Sequence, residues 1–269
     1  MRQEAASSGR GSAASEERPG LFVAHHGPAT GREIILVHGA PDHSATFRDV
    51  LAFLGGHRVV VYDRRGYGRS LGAAPARGMH DHAQDLLCLA ESRPTPPVVV
   101  AHSFGSNPTM LAATLRPGAF AALGLWEPPL PWVDWWSETT KAYNARIARS
   151  DTPADDIEEM YRRLLGNHAW TRLSDEVRTQ RRAEGPAFRT DMASEIAAPF
   201  AFSDVVVPAL IGCGTETSPE HSHGARWLAE HLPDARCQLI PGTGHFAPRT
   251  HPRAFADFVL ATAAVPDAV

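Results

Sequence analysis

Apolar positions along the chain gather into short runs separated by longer mixed stretches. Residues 34–37 (Ile-Ile-Leu-Val), 59–62 (Val-Val-Val-Tyr), 98–100 (Val-Val-Val), 123–126 (Leu-Gly-Leu-Trp), 205–211 and 237–240 each read as a short strand. Unbroken runs rich in β-branched residues suit strands buried on both faces. Between them the pattern predicts helices over 44–54, 80–91, 219–231 and 252–261. The first is capped by Ser44 and closed by Gly55-Gly56. Another helix follows the run at 98–100, with Pro108 tolerated in its first turn. Strands alternating with helices imply a mostly parallel sheet with helices on both faces.

The alternation breaks between residues 128 and 203. No strand signal occurs there, and helical segments are expected over 139–149, 153–165, 174–182 and 191–197. This block also holds Trp132, Trp135, Trp136 and Trp170, four of the 6 tryptophans. It reads as a helical cap inserted into an α/β core formed by residues 21–127 and 204–269. Tryptophans can be plain core. Beside a suspected site they can equally line an apolar pocket. Residues 1–20, rich in Ser, Ala, Gly, Arg and Glu, read as a disordered tail. They lack the apolar segment of a secretory signal, so the cytoplasm is the expected location.

Composition narrows the picture further. A chain of 269 residues that is 43% hydrophobic can bury a sizeable core. A net charge of −4 gives no basic excess, so no nucleic-acid partner is expected. No apolar run approaches the roughly 20 residues that span a bilayer, so no membrane partner is expected either. The 3 cysteines, Cys88, Cys213 and Cys237, have no framework or zinc spacing. The 14 histidines show no ligand spacing such as H-E-x-x-H, so neither metal nor cofactor is expected. Oligomeric state stays open, a homodimer included.

The candidate chemistry sits where strands end. The run at 98–100 leads straight into Ala101-His102-Ser103-Phe104-Gly105. This is a one-residue variant of the strand–turn–helix pattern G-x-S-x-G, which lifts a serine hydroxyl to the top of a sheet. Three further motifs fall in order around it: His38-Gly39-Ala40-Pro41, the stretch D-R-R-G-Y-G-R-S at 63–70, and Gly242-Thr243-Gly244-His245-Phe246. Together the four resemble the α/β-hydrolases that carry a cap, over roughly residues 21–262. The resemblance implies an eight-stranded, mostly parallel sheet, a Ser–acid–His triad and a pocket between sheet and cap.

Each triad member answers a chemical need. Serine is a poor nucleophile until a base takes its proton, and histidine, with an ordinary pKa of about 6.5, suits that task. Ser103 matches the family's nucleophile and His245 its base. The backbone N–H groups of Phe104 and Ala40 match its oxyanion donors, each worth about 3 kcal/mol in the transition state. His38, His102, His221 and His251 read as structural or solvated. The usual acid, an Asp in the loop after the seventh strand, is missing from residues 212–219. Glu127, in Trp126-Glu127-Pro128-Pro129, and Glu216, in the loop itself, compete for the place. Glu127 is preferred, a placement similar to that in zearalenone lactonases; the competing reading is a charge paired with an arginine at the pocket rim.

Serine at the elbow excludes dehalogenase and epoxide hydrolase chemistry, both of which need a carboxylate nucleophile. Hydrolysis of a carboxylic ester or lactone of a bulky apolar small molecule, through an acyl-enzyme, is the expected reaction. Trp132, Trp135, Trp136 and Phe246 are the expected substrate contacts. Alternatives on the same scaffold are C–C bond hydrolysis, perhydrolysis, a non-hydrolytic receptor and a natural-product cyclase.

Overall fold

The computed structural model describes residues 20–28 and 31–265. The tail expected over residues 1–20 falls outside them but for Gly20. Seven strands form one sheet: β1 (Val23–His26), β2 (Glu33–Val37), β3 (Arg58–Tyr62), β4 (Val98–His102), β5 (Ala122–Trp126), β6 (Ala209–Gly214) and β7 (Ala235–Ile240). Their order is β1-β3-β2-β4-β5-β6-β7. Only β1 is antiparallel to its neighbour; the other pairings are parallel.

The expected eight strands are therefore seven among the described residues. β1 escapes the sequence pattern because Val-Ala-His-His buries only Val23. β6 begins at Ala209, after Pro208, rather than at residue 205. Val206 is exposed, so the apolar run at 205–208 is a lead-in rather than strand.

The chain continues through α1 (Arg48–Leu51) after β2, α2 (Met79–Glu91) after β3 and α3 (Ser106–Leu115) after β4. Five helices follow β5: α4 (Glu138–Ala148), α5 (Pro153–Leu165), α6 (Asn167–Thr171), α7 (Asp175–Ala183) and α8 (Gly185–Ser194). The last three are α9 (Pro219–His231) after β6, then α10 (Ala247–Thr250) and α11 (Pro252–Ala263) after β7. The helix expected at 191–197 thus lies at 185–194. Gly185-Pro186 resembles a break, but proline in a first helical turn loses no hydrogen bond.

The continuous apolar runs are explained by two cores. Alternate residues such as Ile35, Val60, Val99 and Leu123 face one side, with α2, α3 and α9. Ile34, Val59, Val98 and Ala122 face the other, with α1, α10 and α11. Strand order reverses direction at β2 and β4, which part the helices that follow β2 and β3 onto opposite faces. Ligands of open α/β sheets bind beyond the strand ends at such a point.

One face of α8 carries much of the buried polar contact between the inserted helices and the core. Glu184, Phe188, Asp191, Met192 and Glu195 recur every one to four positions along that face and are all buried. Three of the five are carboxylates.

Candidate active site

β4 ends at His102, and Ser103 turns with φ of +53° into a tight 3₁₀ turn before α3. A positive φ is costly for a residue with a Cβ, so the surroundings must hold it. They do so by close approach. A Cβ on Gly105 would lie 2.5 Å from the His38 carbonyl oxygen, and one on Gly39 would lie 3.0 Å from the Ser103 Cβ. The turn and the loop after β2 are thereby pressed together.

His245, in the loop after β7, places Nε2 3.0 Å from Ser103 Oγ. Its Nδ1–H donates to Glu127 Oε2 at 2.9 Å. Glu127 follows β5 with φ of +45° and is fully buried. Its carboxylate also accepts from the Gly214 N–H at 2.9 Å and from Thr217 Oγ1 at 2.7 Å. Three donors, two from the end of β6 and the loop it opens and one from the loop after β7, fix its orientation. Glu216, its competitor, is exposed.

Two further histidines frame His245. His102 Nε2–H donates to the His245 carbonyl at 2.8 Å. The His221 ring stacks on the His245 ring at 4.4 Å, and its Nδ1 lies 3.0 Å from Ser218 Oγ. Burial pulls the pKa of His245 and of His102 down to about 4, and that of His221 to about 3. The His245 imidazole is thus neutral at ordinary pH and can accept a proton from Ser103. Glu127, His221 and His245 also place ligand atoms within 4.8 Å of one another, the one such cluster among the described residues. Two of the three are already bonded to each other.

The loop after β2 is held from below by Arg64. This guanidinium is fully buried and donates to the carbonyls of His38 (3.2 Å) and Gly39 (2.8 Å). It lies 4.7 Å from the Phe104 ring centroid and donates to Asp191 Oδ2 at 2.9 Å. Asp191 also accepts from Tyr67 (2.7 Å) and His82 (2.9 Å). His38 is neutral: burial, then the Arg64 charge, draws its pKa to about 3. It accepts the Arg64 N–H at 2.8 Å and donates from Nδ1 to the Gly39 carbonyl. Asp63 accepts the N–H groups of Ser44 and Arg69, both at 2.8 Å. The 63–70 motif is therefore scaffolding for the 38–44 loop.

A cavity of about 380 Å³ opens above Ser103. Ala40, Phe104, His245, Phe246 and Trp136 line it, together with His102, His221, Met160, Leu164, Met192 and Glu195. Trp132 and Trp135 do not, which corrects their expected place among the substrate contacts. Trp132 packs on Phe200 and Phe202, and Trp135 on Trp136, His223 and Trp227. They are adjacent to Trp136 in sequence but belong to an aromatic cluster outside the cavity. Trp170 is core, stacked on Tyr161. His102 and His221, read as structural or solvated, do face the cavity. Their signal was position: one precedes Ser103, and the other opens α9 beside the Glu127 partner Thr217. A larger groove of about 680 Å³ lies around Pro94, Pro117 and Val207, at the other end of the strands from Ser103.

A parallel sheet covered on both faces, with a serine and a histidine meeting beyond its strand ends, defines a hydrolase of the α/β class. The chain belongs to the alpha/beta hydrolase family, whose model matches residues 34–258. It is 28% identical over 241 residues to RutD of Variovorax paradoxus (strain S110), named as a candidate carbamate hydrolase, covering 82% of this chain and 87% of that protein. Among solved structures it resembles a thermophilic esterase from Thermogutta terrifontis, with a TM-score of 0.68 and 24% identity over 91% of this chain and 94% of that one. It also resembles Est816, described as an N-acyl homoserine lactone degrading enzyme, with a TM-score of 0.67 and 18% identity over 91% and 98% of the two chains. At these identities the structural likenesses establish the fold alone. No helix among the described residues is long and apolar enough to cross a membrane.

Proposed function

We propose that the protein hydrolyses a carboxylic ester or lactone through an acyl-enzyme on Ser103. The observation that carries this reading is the His245 ring, 3.0 Å from Ser103 Oγ on one side and 2.9 Å from Glu127 on the other. His245 Nε2 takes the Ser103 proton as Oγ attacks the acyl carbon. Glu127 holds the Nδ1–H tautomer and stabilises the imidazolium that forms. The N–H groups of Ala40 and Phe104 receive the oxyanion. His245 then passes its proton to the leaving alkoxide, and water reverses the sequence to free the acid.

The inserted helices, residues 128–203, act as a cap over this site. Met160, Leu164 and Met192 give the cavity an apolar wall, which suits the apolar part of an acyl or alkyl group. A volume of about 380 Å³ favours a substrate of moderate size over a macrocycle. A carbamate is the second reading, favoured by the likeness to RutD; it uses the same acyl transfer.

Labelling with a fluorophosphonate probe tests the nucleophile: one adduct, on Ser103, is expected, and none in Ser103→Ala. Glu127→Gln lowers kcat by about 10⁴-fold if Glu127 orients His245, while Glu216→Gln leaves it near wild type. The reverse pattern overturns the assignment of the acid.

A further inference from the structure

Glu195 is a buried acid in the cavity wall for which the hydrolytic steps have no use. It is 3% exposed, at the carboxyl end of α8. Its Oε1 accepts Asn107 Nδ2 at 2.8 Å, and its Oε2 accepts Asn144 Nδ2 at 3.0 Å. Asn107 lies one helical turn after Ser103. Its amide is oriented by a second Nδ2 bond, to the Pro129 carbonyl at 3.0 Å. The amide oxygen of Asn107 therefore points away from Glu195 and is itself buried without a partner among the described residues.

Among the described residues no cation touches Glu195. Asp191, on the preceding turn of its own helix, is negative. Arg64 lies beyond and is spent on Asp191. The neighbouring helices α3 and α4 present the neutral Asn107 and Asn144. Burial, and then the Asp191 charge, push the Glu195 pKa up to about 8. The carboxyl is neutral at pH 7 and carries one O–H. Each of its oxygens already accepts an amide N–H, so this hydrogen needs an acceptor elsewhere, and the open side of the group is the cavity it shares with Ser103.

We propose that Glu195 donates a hydrogen bond to a second oxygen of the substrate, so that the preferred esters or lactones carry a carbonyl or similar acceptor apart from the scissile group. The proposal rests on the hydrolytic reading and names the substrate class for it. A site that offers one buried donor discriminates strongly against the analogue lacking the acceptor.

Paired esters test it: p-nitrophenyl hexanoate against the 4-oxo- and 5-oxohexanoates. At pH 6.5 the wild type should favour one oxo ester by about tenfold or more in kcat/KM. The preference should fall as pH rises through about 8 and the donor ionises. Glu195→Gln keeps an N–H donor, so its preference should persist and lose the pH dependence. Glu195→Leu should bring the ratio near one, with thermal melting checking that it folds. No preference in the wild type, or one that ignores pH up to 9, overturns the proposal.

A readout without turnover separates this from failure of the hydrolytic reading. Infrared spectra at pH 6.5 should contain a protonated-carboxyl band that is absent in Glu195→Gln and that shifts when hexan-2-one is added. If Ser103 takes no label and neither ester is cleaved, the hydrolytic reading fails and this band alone decides for Glu195. A band that ignores the ketone places the proton on a turned Asn144 amide and overturns the proposal, as does the absence of any band.

Discussion

Asp191 and Glu195 stand one helical turn apart on the same face, both buried, and the structure gives them opposite charge states. Burial pushes both pKa values up. For Asp191 that push is overcome by Arg64 and then His82, which bring it down to about 2. Glu195 has, among the described residues, two amides as donors and stays near 8. Depth therefore does not set the charge of a buried carboxyl; the partner across the seam does. The ionised member ties the inserted helices to the core. The neutral one is left to face the cavity.

The contrast breaks most forcefully at Asp191. Asp191→Asn leaves the Arg64 guanidinium buried without a counter-charge, and about 3–5 kcal/mol of stability should be lost. Urea denaturation at pH 7 measures it; wild-type stability in this variant would mean that Arg64 and Asp191 are not a charged pair.

A smaller effect sharpens the other half. The folded pKa of Glu195 lies above its ordinary 4.5. Its contribution is thus fully present below pH 4.5 and lost as pH rises through about 8. Each pKa unit is worth about 1.4 kcal/mol, so the decline should be a few kcal/mol. The stability curve of Glu195→Gln should lack it. For Asp191 the sign is opposite: its contribution is present above its ordinary 3.8 and fades as pH falls toward 2.

Smaller again is the effect at the proposed base. With its pKa drawn to about 4, His245 should keep the acid limb of kcat/KM well below the 6.5 of a free imidazole. His221→Ala uncovers one face of the ring, and the limb should move up, by less than one pH unit.

The smallest effect belongs to an exposed pair. The hydrogen bonds of Arg77 hold Asp81 below its ordinary pKa, yet the arginine side chain is 89% exposed. Asp81→Asn should therefore leave the melting temperature unchanged.

What could be read from the chain follows from where burial is two-sided. Strands covered on both faces write themselves as apolar runs, so β2 to β5 were legible within two residues; β7, an edge strand with no buried residue, was legible only through the apolar letters of Cys237, Leu239 and Ile240. β1, at the sheet edge and half polar, left no such mark. Ser103, Glu127 and His245 could be named because all three follow strand ends, and the structure brings them within hydrogen-bond distance in one line. The seam of α8 could not be read. Glu184, Asp191 and Glu195 look like solvated charges until their partners, 116, 127 and 88 residues distant, are in place. The tryptophans misled in the opposite sense. Adjacent letters suggested one shared pocket, but Trp136 alone turns inward.

Arg64 carries a lesson for engineering. Its guanidinium grips the His38 and Gly39 carbonyls of the proposed oxyanion loop with one set of N–H groups and reaches Asp191 in the inserted helices with another. The insertion is consequently no interchangeable module. A chimera that grafts a foreign segment between β5 and β6 must supply a carboxylate where Asp191 stands, or it will inherit a stranded cation directly beneath the loop on which turnover depends.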